Sequence, residues 1–152
     1  HAVILRAIAG LNNSNLKYII CGWGELEDDL LRLARELQID NQLQLLGHRY
    51  DIPEILAVAD IFAHPSQREG LGIAAIEAMA AGLPLITYNI QGIKDYVVNE
   101  KNGYSYAPYD VEGFTNGLGK LVRDRELRKQ FGKTNRECAK KYCYSVMLCN
   151  IR

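Results

Sequence analysis

The alternation of strand-like and helix-like segments along the whole chain is the feature that most constrains its fold. Five short apolar runs predict strands, at residues 16–21, 42–46, 61–63, 85–88 and 104–106. Helical patterns lie between and after them, at 2–11, 25–37, 52–59, 72–81, 111–122 and 126–141, with a short helix or turn at 93–98. The last two helices are expected to be exposed, and the tail from Ser145 to be a last helical turn or a frayed end. The alternation predicts an α/β fold, a Rossmann-like parallel sheet sandwiched by helices, which binds ligands beyond the carboxyl ends of its strands.

The composition indicates one globular domain. The 152 residues are 48% hydrophobic, enough for a core, and the formal net charge of +0 gives no footprint for nucleic acid. No apolar run is long enough to span a membrane and no secretory signal is present, so we expect a cytoplasmic protein with at most peripheral membrane contact. A full-length protein at the inner face of the membrane is the alternative.

Cysteine and histidine spacing indicates neither a disulfide framework nor a metal site. The cysteines form no C-x-x-C pair and the histidines have no metal-ligand spacing; they are Cys21, Cys138, Cys143, Cys149, His1, His48 and His64. We therefore predict ordinary thiols in a reducing compartment and no bound metal.

Loops after the predicted strands are the candidate ligand contacts. The glycines of Gly22-Trp23-Gly24 would let backbone amides approach a phosphate, although a tight turn without a ligand explains them equally well. Glu27 stands where the dinucleotide fingerprint needs its third glycine, which argues against a dehydrogenase. The acidic residues at 25–29 favour the helix dipole but repel a phosphate. The second loop, residues 47–50, is polar.

Two glutamates eight positions apart, Glu69 and Glu77, mark the third loop and the helix after it. Residues 71–83 are apolar or glycine apart from Glu77, and a lone buried carboxylate is costly unless solvent or a polar ligand satisfies it. Helical spacing would place both carboxylates along one groove, about 12 Å apart. We predict that Glu77 is largely buried and faces a cleft, and that Glu69 is the more exposed of the two.

A longer string of motifs surrounds this pair. The E-x7-E element from Glu69 to Glu77 lies within Pro65-Ser66-x-x-Glu69-Gly70-Leu71-Gly72 and continues to Pro84. Further matches are Leu46-Gly47, residues 59–62, Gly92-Ile93 and Asn102-Gly103. In this order, over nearly the whole chain, the motifs resemble the C-terminal domain of the retaining GT-B glycosyltransferases of family 4. These are the "group 1" transferases of polysaccharide, lipopolysaccharide and glycolipid assembly.

The resemblance implies a role for each loop. Glu69 would be the catalytic residue that contacts the donor hexose, and Glu77 would bind the ribose hydroxyls, since a carboxylate can accept two hydrogen bonds from a vicinal diol. The other implied substrate-binding residues are Gly70, Leu71 and Gly72 for the sugar or diphosphate, Gly22 and Gly24 beside the diphosphate, and Gly47, His48 and Arg49 near the base. The donor would be a UDP- or GDP-sugar. No metal or cofactor is expected, because basic residues and amides stabilise the leaving diphosphate.

The chain departs from the family pattern at two points. Trp23 stands where family members have a small or acidic residue, and we predict that it packs in the core rather than walling the site. The basic pair that binds phosphate in the family comes from a strand and turn before the first helix, and Arg6 does not occupy its place. We therefore expect residues 1–152 to be a nucleotide-sugar-binding fragment without the N-terminal acceptor domain that would hold a glycan or lipid-linked acceptor.

Three other functions are compatible with these residues. One is a non-catalytic nucleotide-sugar-binding or scaffolding α/β module. The second is a hydrolase with Glu69 and Glu77 as acid and base, but such a pair straddles one bond at roughly 5–10 Å, and two carboxylates in one string suit a longer ligand better. The third is a structural domain without a ligand.

Overall fold

The computed structural model describes residues 1–142 and forms an α/β domain. Its elements in chain order are α1 Ala2–Leu11, β1 Tyr18–Ile20, α2 Glu27–Glu36, β2 Leu43–Leu45, α3 Ile52–Val58, β3 Phe62–His64, α4 Ile73–Ala81, β4 Leu85–Tyr88, β5 Gly103–Tyr106, α5 Val111–Arg123 and α6 Arg125–Ala139. Single 3-10 turns lie at Asp40–Gln42 and Lys140–Tyr142, and residues 91–96 form turns. The predicted order of strands and helices is confirmed. The interpretation of the tail from Ser145 lies outside the described residues.

Every strand pair in the described part of the chain is parallel, as predicted. Tyr18 pairs with Leu43 between β1 and β2, Phe62 with Leu85 between β3 and β4, and Leu85 with Gly103 between β4 and β5. Within residues 1–142 the strands form two sheets, β1-β2 and β3-β4-β5, with no hydrogen-bonded pairing between the two. One hydrophobic cluster contains residues of α1, α5 and strands of both sheets, and it joins the two sheets into one domain.

Helices α5 and α6 pack against the rest of the domain, so the expectation that they are exposed is wrong. Phe114 and Leu121 of α5 are fully inaccessible and share a cluster with the apolar face of α1. Phe131 and Asn135 of α6 are buried in the same way. The physical reason is amphipathicity, because each helix buries one apolar stripe and leaves its charged side in water.

Helix α4 owes its position to small residues and to α6. Ala75 and Ala78 are completely buried, and Gly82 ends the helix with φ 82°, as its sequence predicts. A Cβ on Gly132 of α6 would lie 2.1 Å from the Gly82 carbonyl oxygen, so the two backbones touch there. Asn135 donates hydrogen bonds to the carbonyl oxygens of Leu83 (2.7 Å) and Asn102 (2.8 Å) and thereby fixes the chain that leaves α4.

Candidate functional site

The loop at residues 65–72 joins the carboxyl end of β3 to the first turn of α4. Its last residue, Gly72, has φ 70° and is the N-cap of α4, and its carbonyl oxygen accepts a hydrogen bond from the Ala75 amide (2.9 Å). A Cβ there would lie 2.6 Å from the Tyr96 hydroxyl and 2.8 Å from Cδ1 of Ile93. Glycine is therefore required both by the left-handed backbone and by the close packing.

Glu69 is held in this loop by a histidine. Its Oε1 lies 3.0 Å from Nε2 of His64, and the two side chains are 25% and 16% exposed. The His64 ring in turn stacks on Phe62, with ring centroids 5.8 Å apart. The sequence pattern presents His64 only as a possible metal ligand, and this contact was not predicted. The available signal was its place at the end of β3, five residues before Glu69.

Glu77 lies on the solvent side of α4, so the prediction that it is largely buried and less exposed than Glu69 is wrong. Ile73, Ala74 and Ala80 share its exposed face, whereas Ala75, Ala78 and Met79 occupy the buried stripe. Within residues 1–142, its carboxylate makes no hydrogen bond or ion pair and is exposed to solvent. Because α4 begins only at Ile73, the helical spacing behind the 12 Å expectation does not extend back to Glu69.

A pocket opens beside Glu69. Its lining brings the predicted residues Glu69 and Gly70 together with four that sequence analysis did not assign to the site, and consists of Gln67, Arg68, Glu69, Gly70, Ile90 and Gln91. Ile90 and Gln91 come from the turn after β4, about twenty positions along the chain from Glu69. No local pattern links them to the loop, because only the parallel pairing of β3 with β4 brings the two strand ends side by side.

Residues 90–96, here called the bracing segment, also contact the backbone of the Glu69 loop. The Tyr96 hydroxyl donates to the carbonyl oxygens of Leu71 (2.9 Å) and Gly72 (3.4 Å). Burial, and then the nearby charge of Glu69, raise the pKa of Tyr96 above its ordinary value, so the hydroxyl remains a donor even at alkaline pH. The sequence gives no local signal for this contact.

The glycine loops after β1 and β2 meet each other. The Gly22 amide donates to the Gly47 carbonyl oxygen at 2.7 Å, and both glycines have positive φ, of 126° and 62°. Next to Gly47, the His48 ring packs edge-on against Tyr50, with centroids 4.8 Å apart.

Trp23 is 82% exposed, so its interpretation as a core residue is wrong. Strand β1 already ends at Ile20, so Trp23 lies in the loop after the strand and not on a face of the sheet.

Arg49 is paired locally. Its guanidinium forms two hydrogen bonds to the Asp51 carboxylate, at 2.8 and 2.6 Å, and holds the pKa of that carboxyl below its usual range. Within the described range 1–142, no hydrogen bond joins the Gly22 and Gly47 loops to the Glu69 loop. The predicted loop residues therefore lie in two sets of loops, each of which follows the carboxyl ends of parallel strands, whereas Glu77 lies within α4.

The same described residues place no three His, Cys, Asp or Glu side chains so as to hold a metal ion. Cys21 and Cys138 are free thiols, as predicted, and Cys143 and Cys149 lie outside the described part. None of the helices in residues 1–142 combines the length and the apolar character needed to cross a membrane.

Known proteins share both the sequence pattern and the fold. The family model described as "Glycosyl transferases group 1" matches residues 1–138. The chain belongs to this family. Among its relatives, the UDP-Gal:alpha-D-GlcNAc-diphosphoundecaprenol alpha-1,3-galactosyltransferase of Escherichia coli is 39% identical, over 72% of this chain and 29% of the relative. The sulfoquinovosyl transferase SQD2 of Arabidopsis thaliana is 35% identical, over 86% of this chain and 26% of the relative.

A solved glycosyltransferase structure confirms the fold class. WaaG, a glycosyltransferase involved in lipopolysaccharide biosynthesis, superposes with a TM-score of 0.83 at 27% identity, over 91% of this chain and 38% of that protein. The described domain therefore has the fold of the C-terminal half of a GT-B glycosyltransferase, as predicted. The chain spans between 26% and 38% of the length of these three proteins.

Proposed function

We propose that this domain binds a nucleotide diphosphate sugar and presents its hexosyl group for retaining transfer to a hydroxyl acceptor in polysaccharide, lipopolysaccharide or glycolipid synthesis. The observation that carries the proposal is the loop at 69–72. It combines a partly buried carboxylate, held by His64 beside a pocket, with backbone amides at the start of a helix. Carboxylates and free amides are the groups that bind sugar hydroxyls and phosphate oxygens.

The amides of the loop are the proposed contacts of the diphosphate. Within residues 1–142, the N–H groups of Gly70, Leu71 and Gly72 have no acceptor, and they lie where the positive end of the α4 dipole begins. An anionic diphosphate at this position would gain hydrogen bonds and a favourable dipole interaction. In the proposed reaction these groups stabilise the leaving diphosphate, and no cofactor is required.

In this proposal Glu69 and Glu77 bind different parts of the donor. Glu69, fixed by His64, accepts hydrogen bonds from the hexose hydroxyls in the pocket that it shares with Gln91. Glu77 accepts the ribose diol. Its exposure in the unliganded domain is compatible with that role, because a solvated carboxylate can exchange water for hydroxyl donors.

The two glycine loops would hold the remainder of the nucleotide. Gly22 and Gly24 are proposed to lie beside the diphosphate, while Gly47, His48 and Arg49 face the base. The Gly22–Gly47 hydrogen bond supports a shared role, since it ties the two loops into one surface. Asp51 and Tyr50 hold Arg49 and His48, respectively, so both side chains have defined partners before a ligand binds.

The relatives favour UDP over GDP as the nucleotide, because the name of the Escherichia coli relative specifies UDP-Gal as its donor. They do not fix the sugar, since one relative is a galactosyltransferase and another is a sulfoquinovosyl transferase. The acceptor, a glycan or a lipid-linked hydroxyl compound, is proposed to bind through a further domain outside these 152 residues.

Calorimetric titration of the protein with UDP, UDP-hexoses, GDP-hexoses and ADP-glucose tests the proposal. We expect UDP-hexoses to bind more tightly than UDP, and Glu69→Ala to remove that difference while leaving the affinity for UDP unchanged. The matched control is Glu36→Ala, an exposed glutamate in the last turn of α2. If the full-length protein bound none of these nucleotide sugars, the proposal would be refuted. Binding without transfer to any acceptor would favour the non-catalytic module.

A further inference from the structure

We propose that Tyr96 is a positioning residue for the donor sugar, because its hydroxyl ties the backbone of the Glu69–Gly72 loop to the interior of the domain. The inference rests on the proposed function, and it assigns a role to a residue outside the E-x7-E string. Tyr96 itself is 5% exposed and does not line the pocket beside Glu69, so it acts through the loop and not by touching the donor.

Among the described residues, the Tyr96 hydroxyl makes the hydrogen bonds that join the backbone of this loop to the core. Gly70 and Leu71 are both exposed, and Leu71 keeps 42% of its surface in water, so the loop has little apolar packing of its own. The 2.9 Å hydrogen bond from Tyr96 to the Leu71 carbonyl oxygen fixes the backbone at this exposed point. The weaker contact of the same hydroxyl at 3.4 Å reaches Gly72, where α4 begins.

The bracing segment lies too close to the loop to leave free space. A Cβ on Gly92 would lie 2.4 Å from the Gly70 carbonyl oxygen and 3.0 Å from that of Glu69. On the other side, the position of a Gly72 Cβ is already filled by the Tyr96 hydroxyl and the Ile93 side chain. Backbone packs on backbone here, so the placement of the bracing segment determines the placement of residues 69–72.

The backbone of Tyr96 is held by the buried side-chain amides of two asparagines, Asn102 and Asn135. Its carbonyl oxygen accepts a 2.8 Å hydrogen bond from Asn102, which is 1% exposed, and Oδ1 of Asn102 accepts one from the Val98 amide. The Asn102 carbonyl oxygen accepts in turn from Asn135 of α6. A continuous path of hydrogen bonds therefore runs from α6 to the Leu71 carbonyl oxygen, and the Tyr96 side chain is its last link.

Loss of the Tyr96 hydroxyl should weaken binding of the sugar and not of the nucleoside. The tethered residues are those proposed to contact the hexose and the diphosphate, whereas Glu77 lies on the body of α4, which α6 supports independently. Loss of the hydroxyl would let the amides and Glu69 move away from the geometry that sugar binding needs, and small displacements of positioning groups are costly. The nucleotide contacts would remain.

The test compares Tyr96→Phe with Tyr104→Phe. Both tyrosines are 5% exposed, but the Tyr104 hydroxyl makes no hydrogen bond within residues 1–142, so the control removes an oxygen without removing a tether. In the full-length protein we expect Tyr96→Phe to weaken UDP-hexose binding about fivefold, the effect of one lost hydrogen bond, and to leave the affinity for UDP unchanged. The control variant changes neither affinity.

Limited proteolysis of the unliganded protein gives a second readout that needs no donor. Trypsin cuts after Arg68, an exposed residue of the loop, and we expect this cleavage to be faster in Tyr96→Phe only. An unchanged cleavage rate, or an equal loss of UDP and UDP-hexose affinity, would overturn the role of Tyr96. If the wild-type protein binds UDP-hexose no better than UDP, the proposed function and the sugar-positioning role fail together. Faster cleavage in Tyr96→Phe would then still show the tether as a structural contact.

Discussion

Glu69 and Glu77 belong to one sequence motif but have different surroundings. The Glu69 carboxylate is partly buried and bonded to His64, while Glu77 lies in water on the outer face of α4. The two side chains therefore contribute differently to the unliganded protein. Removing Glu69 disturbs an existing contact, whereas removing Glu77 changes nothing that the unliganded protein uses.

Glu77→Gln should accordingly weaken nucleotide binding without changing stability. The amide retains one acceptor oxygen but loses the charged site for the ribose diol, which we expect to cost about 1–3 kcal/mol of affinity for UDP. Titration with UDP measures the loss, and thermal unfolding checks that the midpoint stays within the error of wild type. Glu36→Gln, another exposed helical glutamate, is the control. An unchanged UDP affinity would remove Glu77 from the site.

Glu69→Ala should have its main effect on turnover. In the full-length enzyme we expect a decrease in kcat of about a hundredfold or more, because a group that positions the hexose is lost. Glu77→Asp keeps a carboxylate for the ribose and should reduce kcat much less. Initial-rate measurements at saturating donor compare the two variants. Wild-type activity in Glu69→Ala would contradict the assignment.

At the scale of elements, the α4–α6 contact decides where the site helix lies. Its two backbones meet at Gly82 and Gly132, and Arg136 of α6 donates to the Ala81 carbonyl oxygen at 2.9 Å, which satisfies one of the open carbonyls at the end of α4. The N-terminal end of α4, next to the Glu69 loop, is held in place by the bracing segment. Both ends of the helix are thus fixed by residues distant in sequence.

Gly132→Ala should therefore destabilise the fold. The new methyl group would meet the Gly82 carbonyl oxygen, and relief requires α4 and α6 to separate, which we expect to lower the free energy of unfolding by about 1–3 kcal/mol. Gly24→Ala is the matched control, since a Cβ there meets nothing within 4 Å and the backbone has no positive φ. Chemical denaturation of both variants measures the difference. Equal stability would mean that the helices do not touch as described.

At the scale of the whole molecule, one core unites two short sheets. The larger cluster takes residues from α1, α5 and the strands of both sheets, and the smaller one joins α4 to α6 and the bracing segment. Folds of this class bind ligands at the carboxyl ends of their strands, which is where the proposed donor site lies. The chain nevertheless spans between 26% and 38% of the length of the related glycosyltransferases compared above.

We therefore expect the isolated 152-residue chain to show no transferase activity and only weak donor binding. Transfer requires an acceptor hydroxyl held next to the donor, and positioning of the reactants supplies much of the rate of such a reaction. The measurement is release of UDP from UDP-hexose in the presence of acceptor, for this chain and for a full-length protein that contains it. Comparable rates for the two would refute the two-domain interpretation.

The sequence by itself determined the order of strands and helices, the end of α4 at Gly82 and the family. The first two depend on information within a few residues, namely the period of apolar side chains and the backbone freedom of glycine, whereas the family follows from the order of motifs along the chain. The loop that carries Glu69 was placed correctly for the same reason, since its glycines and the following apolar helix are all contained in one string.

The tertiary structure alone decided which side of α4 faces the core and whether Trp23 is buried. Glu77 is exposed because α6 covers the opposite side of α4, and Trp23 is exposed because the chain leaves β1 early, neither of which a local pattern records. The contacts of Tyr96 and Gln91 with the Glu69 loop arise because the ends of two paired strands lie side by side. Such contacts join residues about twenty or more positions apart, and their free energy depends on packing, which the spacing of residues along the chain does not encode.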